Sequence, residues 1–310
     1  MRRHLAALLF PLAGLVCLPT QAQTAPEKSL MAEGSGSMEQ IVALWRDEYR
    51  KQHPGFDLEV RASGSNAAPK ALEAGKVHMA LMSREMTREE VASFSAKQGY
   101  SPTRIAVAMD ALVVLVNRNN PVREIRIEAL DALYSTTRLQ GWPRDVQTWG
   151  DLGLTQGQWE KRPIARWGRP DTSGTRQFFV ESVMLGGTPK GDTRRSQEEA
   201  GLTEELIANQ AAIGYGSLSE VFGSLKAVPI VPKGSKVAEA PTVENVASGS
   251  YPLSRFLFIY VNKAPGKPLP ASLQSFLAYA LSTEGQSLLR YTGQVALPDD
   301  LLRLNRRRLQ

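Results

Sequence analysis

Two long apolar segments bracket the middle of this 310-residue chain and limit the folds open to it. Residues 105–116 are apolar apart from Asp110, and residues 256–261 form a second apolar run. Apolar runs bounded by turn signals predict buried strands, and each run here is followed by a turn signal with asparagine and proline. We therefore expect two strands that cross between two lobes.

Strand and helix signals alternate along the rest of the chain. Residues 56–60 alternate between apolar and polar side chains, as a half-buried strand does, whereas residues 38–51 carry apolar side chains at helical spacing. Such alternation predicts an α/β fold with mostly parallel sheets. If the two apolar strands are the crossings, lobe I contains residues 25–110 and 256–310, and lobe II contains residues 111–255.

The N-terminal residues have the pattern of an export signal. Arg2 and Arg3 precede an apolar run at residues 5–18, and small residues suited to cleavage follow it. The run has 14 residues, whereas a membrane-spanning helix needs about 20, so a membrane anchor is the weaker interpretation. We expect residues 1–22 to be a cleaved signal peptide and the mature protein to reside in the periplasm.

The composition of the mature chain argues against several classes of protein. Cys17 is the only cysteine and lies in the segment to be removed, so we expect no disulfide. His53 and His78 are isolated in the sequence, which argues against a metal site. Without Arg2 and Arg3, 35 basic residues remain against 31 acidic ones, and this net charge of +4 is spread along the chain. It suits attraction of anions but is too scattered to indicate a nucleic-acid partner.

Three segments rich in glycine, serine and threonine each precede a predicted helix, at residues 34–37, 63–66 and 172–175. A helix start leaves four backbone N–H groups without intrahelical partners and carries a partial positive charge, which stabilises an anion. Glycines let the backbone approach a ligand, and hydroxyls add donors. One such segment alone would be interpreted as an ordinary N-cap. Two in lobe I and one in lobe II predict a ligand shared between the lobes.

An arginine precedes the third of these segments. Arg169 begins the sequence RPDTSGTR (169–176), and its planar guanidinium can donate to two oxygens of one anion in a geometry that lysine cannot offer. The alternative is a surface salt bridge from Arg169 to Asp171 or a neighbour. The spacing alone does not choose between these two roles.

Taken in order, these segments resemble the phosphate-binding proteins of ABC importers, which have the type II periplasmic-binding-protein fold. The likeness covers nearly all of the mature chain. Its most specific part is the Arg-x-x-x-Ser-Gly-Thr signature followed by an aromatic helix. The matching segments are GSGSMEQIVALW (34–45), ASGSNAAPKALEAGKVHMALMSR (62–84), MDALVVLVNRNNPV (109–122), RPDTSGTRQFF (169–179), AAIGYGSL (211–218), YPLSRFLFIYVN (251–262) and FLAYALSTEGQ (276–286).

The resemblance implies a monomer that closes its two lobes on inorganic phosphate or a similar oxyanion and passes it to an ABC permease in the membrane. It implies no cofactor. Helix starts would donate to the anion, and Arg169 would be the charged donor. The ligand-binding residues that we expect are Ser35, Gly36, Ser37, Met38, Ser65, Ser83, Arg84, Asp110, Arg169, Ser173, Gly174 and Thr175.

One position departs from the pattern of well-studied phosphate binders. They have an aspartate after the serine that corresponds to Ser83, and it accepts the phosphate proton and rejects sulfate. Here that residue is Arg84, as in some relatives. The acceptor could instead be Asp110, Asp171 or Glu33. Without an acceptor, sulfate or another oxyanion stays an alternative, because a site of donors alone cannot reject a fully deprotonated anion.

Two other functions fit parts of the sequence. Serine-rich loops at helix starts also build nucleophile sites, but Gly-x-Ser-x-Gly, Ser-x-x-Lys, His-Glu-x-x-His and Gly-x4-Gly-Lys-Ser/Thr motifs are all missing from the sequence. A catalytic triad would need His53 or His78, and neither belongs to a recognisable motif. We therefore expect no enzymatic activity. An extracellular sensor that keeps the binding fold but serves no permease is the second alternative.

Overall fold

The structure is a computed structural model that describes residues 29–196 and 199–310. The expected signal peptide, residues 1–22, lies outside these ranges. Over the described part of the chain, no helix combines the length and apolar character needed to cross a membrane.

Strands and helices alternate through the described chain, as the sequence predicts. The strands are β1 (Leu30–Gly34), β2 (Leu58–Arg61), β3 (Met79–Met82), β4 (Thr103–Asn117), β5 (Ile125–Arg126), β6 (Ala165–Gly168), β7 (Arg194–Arg195), β8 (Ala212–Ser217), β9 (Leu225–Val228), β10 (Ile230–Val231) and β11 (Ser254–Val261). The helices are α1 (Gly36–Gln52), α2 (Ala68–Glu73), α3 (Arg88–Gln98), α4 (Ile127–Tyr134), α5 (Gly174–Ser182), α6 (Glu199–Ala208), α7 (Val243–Ser248), α8 (Ala271–Ala280), α9 (Thr283–Ser287) and α10 (Asp299–Leu309).

The main sheet is mixed and has the strand order β2-β1-β3-β11-β4-β8-β6-β7, with β9 also paired to β4. β1 is parallel to β2 and β3, and β6 is parallel to β7 and β8. β4 and β11 are antiparallel to each other and to their other neighbours. The expected parallel pairing therefore holds for the flanking strands. It fails at the centre, because there the chain crosses between the lobes and returns.

The long strand β4 belongs to both lobes. Its residues 103–111 pair with β11, whereas residues 112–117 pair with β8 and β9. Asp110 of β4 lies opposite Arg255 of β11, next to the point where the pairing partners change. Both apolar runs are strands as predicted, and the opposed charges stand at the junction of the lobes.

Packing against the sheet fixes the position of α1. Met38, Ile41 and Trp45 are fully buried on one face of this helix, as expected from their helical spacing. Trp45 Nε1 also donates to Gly285 O at 2.8 Å. The start of α1 is thereby held at the end of β1.

Candidate functional site

The first predicted helix start is the turn between β1 and α1. Ser35 is the N-cap residue with an extended backbone, and α1 begins at Gly36. Ser35, Ser37 and Met38 are buried. Ser35 N donates to Leu81 O at 2.9 Å and Met38 N donates to Ser35 O at 3.1 Å, which argues against Met38 N–H as the expected ligand donor. The N–H groups that this turn keeps for a ligand are those of Gly36 and Ser37.

The third predicted helix start is the N-terminus of α5. Ser173 is its N-cap, and Ser173 Oγ accepts a hydrogen bond from Arg176 N at 3.3 Å. Gly174 and Thr175 form the first turn and are buried. One N–H of the turn is satisfied by this cap, and donation to an anion by the N–H groups of Gly174 and Thr175 stays a prediction.

The second segment precedes a helix, as predicted, and α2 begins at Ala68 with Ala67 as its N-cap. Pro69 lies in the first turn, where proline is well tolerated, so the helix starts later than Ser65. Ser65 Oγ instead accepts from Ser83 N at 3.1 Å and lies 3.3 Å from Ser83 Oγ. Ser65 therefore brings a hydroxyl group rather than a helix start.

The three segments meet between the lobes. Ser37 Oγ lies 3.4 Å from Thr175 Oγ1, although 138 positions separate them in the chain. Gly174 lies against Ser65 and Ser83, so that a Cβ atom added to Gly174 would be 2.3 Å from Ser65 Oγ and 2.7 Å from Ser83 Oγ. The fold thus brings these predicted site residues together, and their contact with a ligand stays a prediction.

A second close approach joins the same loops. Gly64 has a φ angle of +88°, and a Cβ atom on Gly64 would be 2.4 Å from Thr172 O. Asn66 N donates to that carbonyl at 3.2 Å, and Asn66 Nδ2 donates to Asp171 O at 2.8 Å. Glycine is needed at position 64 for its backbone conformation and for this contact. The sequence did not single out Asn66, which ties the two loops together.

Arg169 is buried and paired with a carboxylate far away in the sequence. Its side chain is 4% exposed, and its Nη1 donates to Glu220 Oε2 at 3.1 Å. Asp171, the partner considered from the sequence, is exposed and pairs with Arg176 and Arg195 instead. Arg169 therefore places a permanent positive charge inside the protein rather than on its surface.

A second buried arginine, Arg255, was not predicted. Its Nε and Nη2 donate to Asp110 Oδ2 at 2.9 and 2.6 Å, and its Nη1 donates to Thr175 Oγ1 at 3.0 Å. One signal could have indicated it. Asp110 is the single charge within one apolar run, and Arg255 directly precedes the other. Opposite charges on two paired apolar strands favour a cross-strand ion pair.

The carboxylates considered as proton acceptors have different environments. Asp110 Oδ2 accepts both bonds from Arg255, and Asp110 Oδ1 accepts from Ser217 Oγ at 2.8 Å and from a backbone N–H at 3.2 Å. A carboxylate offers about four lone-pair sites, so these four donors match its capacity. Asp171 is exposed and Glu33 is half-buried on β1. Asp110 is thus the buried carboxylate of the three, and its oxygens are already occupied.

Arg84 has all five of its N–H donors in use. Nε and Nη2 donate to Asn66 Oδ1 at 3.2 and 2.6 Å, and Nη1 and Nη2 donate to the Glu90 carboxylate at 2.8 and 2.7 Å. Nη1 also donates to Glu85 O at 2.7 Å. Direct ligand contact by Arg84, as expected from the sequence, would require some of these bonds to break. In this structure Arg84 supports Asn66.

Two buried tyrosines flank the arginines. Tyr215 Oη accepts from Arg169 N at 3.5 Å, and burial raises the pKa of Tyr215. Tyr251 Oη donates to Leu112 O at 3.0 Å, and burial together with the neighbouring Asp110 carboxylate raises the pKa of Tyr251. Both phenols therefore stay neutral, because a buried phenolate would be poorly solvated.

The two histidines have contacts that hold the structure of lobe I. His78 Nδ1 accepts from Met31 N at 3.0 Å, and the His53 ring stacks on Tyr49 with centroids 4.0 Å apart. These contacts argue against either histidine as the base of a nucleophilic serine. Within the described residues, no group of three or more His, Cys, Asp or Glu side chains could hold a metal ion.

Known proteins resemble this chain over most of its length. The family model described as a PBP superfamily domain matches residues 19–284. A phosphate-binding protein PstS from Pseudomonas aeruginosa is 35% identical over 96% of this chain and 95% of its own length.

Two solved structures share the fold over most of this chain. A candidate phosphate ABC transporter substrate-binding protein from Clostridium perfringens, solved with bound phosphate, is 25% identical with a TM-score of 0.73 and covers 87% of this chain and 100% of its own. A possible phosphate-binding protein from Planctomyces limnophilus is 26% identical with a TM-score of 0.64. It covers 92% of this chain and 98% of its own. The chain therefore belongs to the phosphate-binding-protein family of the PBP superfamily, with the type II periplasmic-binding-protein fold.

Proposed function

We propose that this protein captures inorganic phosphate between its two lobes and delivers it to an ABC importer. The proposal depends on one observation, the meeting of Gly174 and Thr175 with Ser37, Ser65 and Ser83 across the cleft. Helix starts and hydroxyls concentrate hydrogen-bond donors there, and an anion removed from water needs such donors around it. The names of the Pseudomonas and Clostridium proteins support phosphate as the ligand.

The buried charges suit a dianion held mainly by hydrogen bonds. Arg169 pairs with Glu220, and Arg255 pairs with Asp110, so each guanidinium already has a carboxylate partner. Such pairs orient donors towards a bound anion while limiting the net charge in the interior. Geometry more than net charge would then select the ligand.

The proposed organisation follows the two crossing strands. A signal peptide at residues 1–22 would direct export to the periplasm. Lobe I would comprise residues 25–110 and 256–310, and lobe II residues 111–255, with β4 and β11 as the hinge about which the lobes close. The partner would be an ABC permease in the membrane, and the binding protein would act as a monomer without a cofactor.

Calorimetric titration with phosphate, sulfate, arsenate and molybdate tests the ligand. We expect phosphate to bind, and tryptophan fluorescence to change as the lobes close. Sulfate is the second candidate, because both Asp110 oxygens are occupied and Arg84 stands where well-studied phosphate binders have an acceptor. A response to sulfate equal to that to phosphate would change the ligand assignment, and a response to none of the four would overturn the proposed function.

We further infer that the protein binds its ligand without transforming it. The serine hydroxyls contact one another, a backbone N–H and Thr175, and both histidines are engaged elsewhere. Incubation with chromogenic ester and phosphoester substrates is expected to release no product. Turnover that disappears in Ser65→Ala or Ser83→Ala would contradict this inference.

Arg84→Ala is expected to reduce stability more than affinity. The substitution removes five hydrogen bonds and leaves Glu90 without its buried partner, which should cost about 2 kcal/mol of unfolding free energy because Glu90 is partly solvated. Urea denaturation measures this loss, and Arg88→Ala, at an exposed position in the next helix, is the matched control. Unchanged stability together with a large loss of phosphate affinity would instead place Arg84 on the ligand.

A further inference from the structure

Arg255 occupies the junction between the two lobes. It lies opposite Asp110 in the register of β11 and β4, the two strands on which the lobes would turn. The side chains of Arg255 and Asp110 are 2% and 0% exposed. Because the pair is fully desolvated and held by two hydrogen bonds to one oxygen, its geometry is well defined.

Other groups hold the same guanidinium and its partner. Asp110 Oδ1 accepts from Ser217 Oγ, which ties the carboxylate to the end of β8. The guanidinium carbon of Arg255 lies 5.7 Å from the centre of the Phe178 ring on α5, within range of a cation–π interaction. Arg255 therefore has one defined orientation, and from it Nη1 reaches Thr175.

The contact with Thr175 has only one possible polarity. A guanidinium donates and never accepts, so Thr175 Oγ1 must be the acceptor at 3.0 Å. The hydroxyl hydrogen of Thr175 must then point elsewhere. Its neighbour on the other lobe is Ser37 Oγ at 3.4 Å. The hydrogen bond from Arg255 thus occupies one of the two lone pairs of Thr175 Oγ1 and directs the hydroxyl hydrogen away from Arg255, so that it can point towards the cleft.

We propose that Arg255 is a positioning residue that fixes the Thr175 hydroxyl as a donor to the bound oxyanion. This inference rests on the proposed function and adds a specificity element to it. An acceptor anion can use the hydroxyl hydrogen of Thr175, whereas a ligand group that must itself donate has only the one remaining lone pair of Thr175 Oγ1. Asp110 serves by orienting Arg255, so its role is to position a donor rather than to take a proton from the ligand.

A double-mutant cycle on phosphate affinity tests the proposal. Arg255→Lys keeps the positive charge, but a single ammonium cannot reproduce the planar contacts to both Asp110 and Thr175. Thr175→Val removes the hydroxyl with little change in shape. Each single variant is expected to lose about tenfold in affinity, and the double variant should also lose about tenfold, because both changes remove the same interaction.

Ser65→Ala provides the matched comparison. Ser65 contacts Ser83 and Gly174 and lies outside the chain of bonds from Asp110 through Arg255 to Thr175. The double variant Arg255→Lys/Ser65→Ala should therefore lose about a hundredfold in phosphate affinity, because the two independent losses multiply. Thr175→Ser retains a hydroxyl, so its phosphate affinity should still fall when Arg255→Lys is added.

The outcomes distinguish this inference from the proposed function. If the double variant Arg255→Lys/Thr175→Val loses about a hundredfold in phosphate affinity, as Arg255→Lys/Ser65→Ala is expected to do, the positioning role is overturned. Phosphate capture is left intact by that result. If the wild type prefers sulfate, arsenate or molybdate, the same cycle is measured with that anion. A wild type that binds no oxyanion overturns both. Should Arg255→Lys fail to fold, the double variant Asp110→Asn/Arg255→Gln, which removes both charges of the buried pair, replaces it in the same cycle.

Discussion

Replacing Gly174 by alanine is expected to weaken phosphate binding about a hundredfold without unfolding the protein. The new Cβ atom would be 2.3 Å from Ser65 Oγ and 2.6 Å from Ser65 Cβ. A hydroxyl can rotate, but the Cβ atom of the fully buried Ser65 has no space to withdraw. Overpacking of this kind costs about 3 kcal/mol at the upper end of its usual range, which corresponds to about two orders of magnitude in affinity.

The cost falls on closure because the clashing groups belong to different lobes. Gly174 begins α5 on one side of the cleft, whereas Ser65 and Ser83 come from the loops after β2 and β3. Alanine is a better helix former than glycine, and the φ angle of Gly174 is ordinary. Thermal unfolding without phosphate should therefore be unchanged, while calorimetry with phosphate shows the loss.

Gly191→Ala is the matched control for this experiment. Gly191 belongs, like Gly174, to the proposed lobe II, and a Cβ atom there would have nothing within 4 Å. Its affinity for phosphate should stay within about twofold of the wild type, as for a typical surface substitution. Wild-type affinity in Gly174→Ala would contradict the idea that the lobes meet at this glycine when phosphate binds.

The predictable parts of the candidate site are those that depend on neighbouring residues in the sequence. Glycine and serine before an apolar periodic segment indicated the starts of α1 and α5, because capping chemistry is local. Apolar runs bounded by turn signals indicated β4 and β11 in the same way. Even the convergence of Ser37 with Thr175 followed from the requirement that one anion collect donors from both lobes.

The ion pairs could not be predicted in that way. Arg169 and Glu220 are 51 positions apart, and Arg255 and Asp110 are 145 apart, so their pairing depends on the register of strands from different parts of the chain. Arg84 shows the opposite difficulty. Its place in the sequence predicted contact with the ligand, but in the fold all of its N–H groups donate to Asn66, Glu85 and Glu90. A buried charge pairs with the opposite charge or polar group that the tertiary structure places beside it.

Arg169→Met is expected to lower phosphate affinity about a hundredfold. If Arg169 is the charged donor that the family resemblance implies, its loss leaves oxygens of the anion unmatched in a desolvated cleft, at a cost of about 3 kcal/mol. The same substitution should lower the unfolding free energy by about 3 kcal/mol or more, because the Glu220 carboxylate, 8% exposed, loses its arginine. Arg195→Met is the control, since Arg195 pairs with the exposed Asp171 and should matter little.

The double variant Arg169→Met/Glu220→Gln separates the two effects. It removes both charges of the pair, so urea denaturation should recover most of the stability lost in Arg169→Met. Phosphate affinity should not recover, because the donor to the anion is still missing. If calorimetry instead finds wild-type affinity in the double variant, Arg169 serves only to neutralise Glu220. The anion would then be held by the helix starts and hydroxyls of Ser37, Gly174 and Thr175 without a charged donor at position 169.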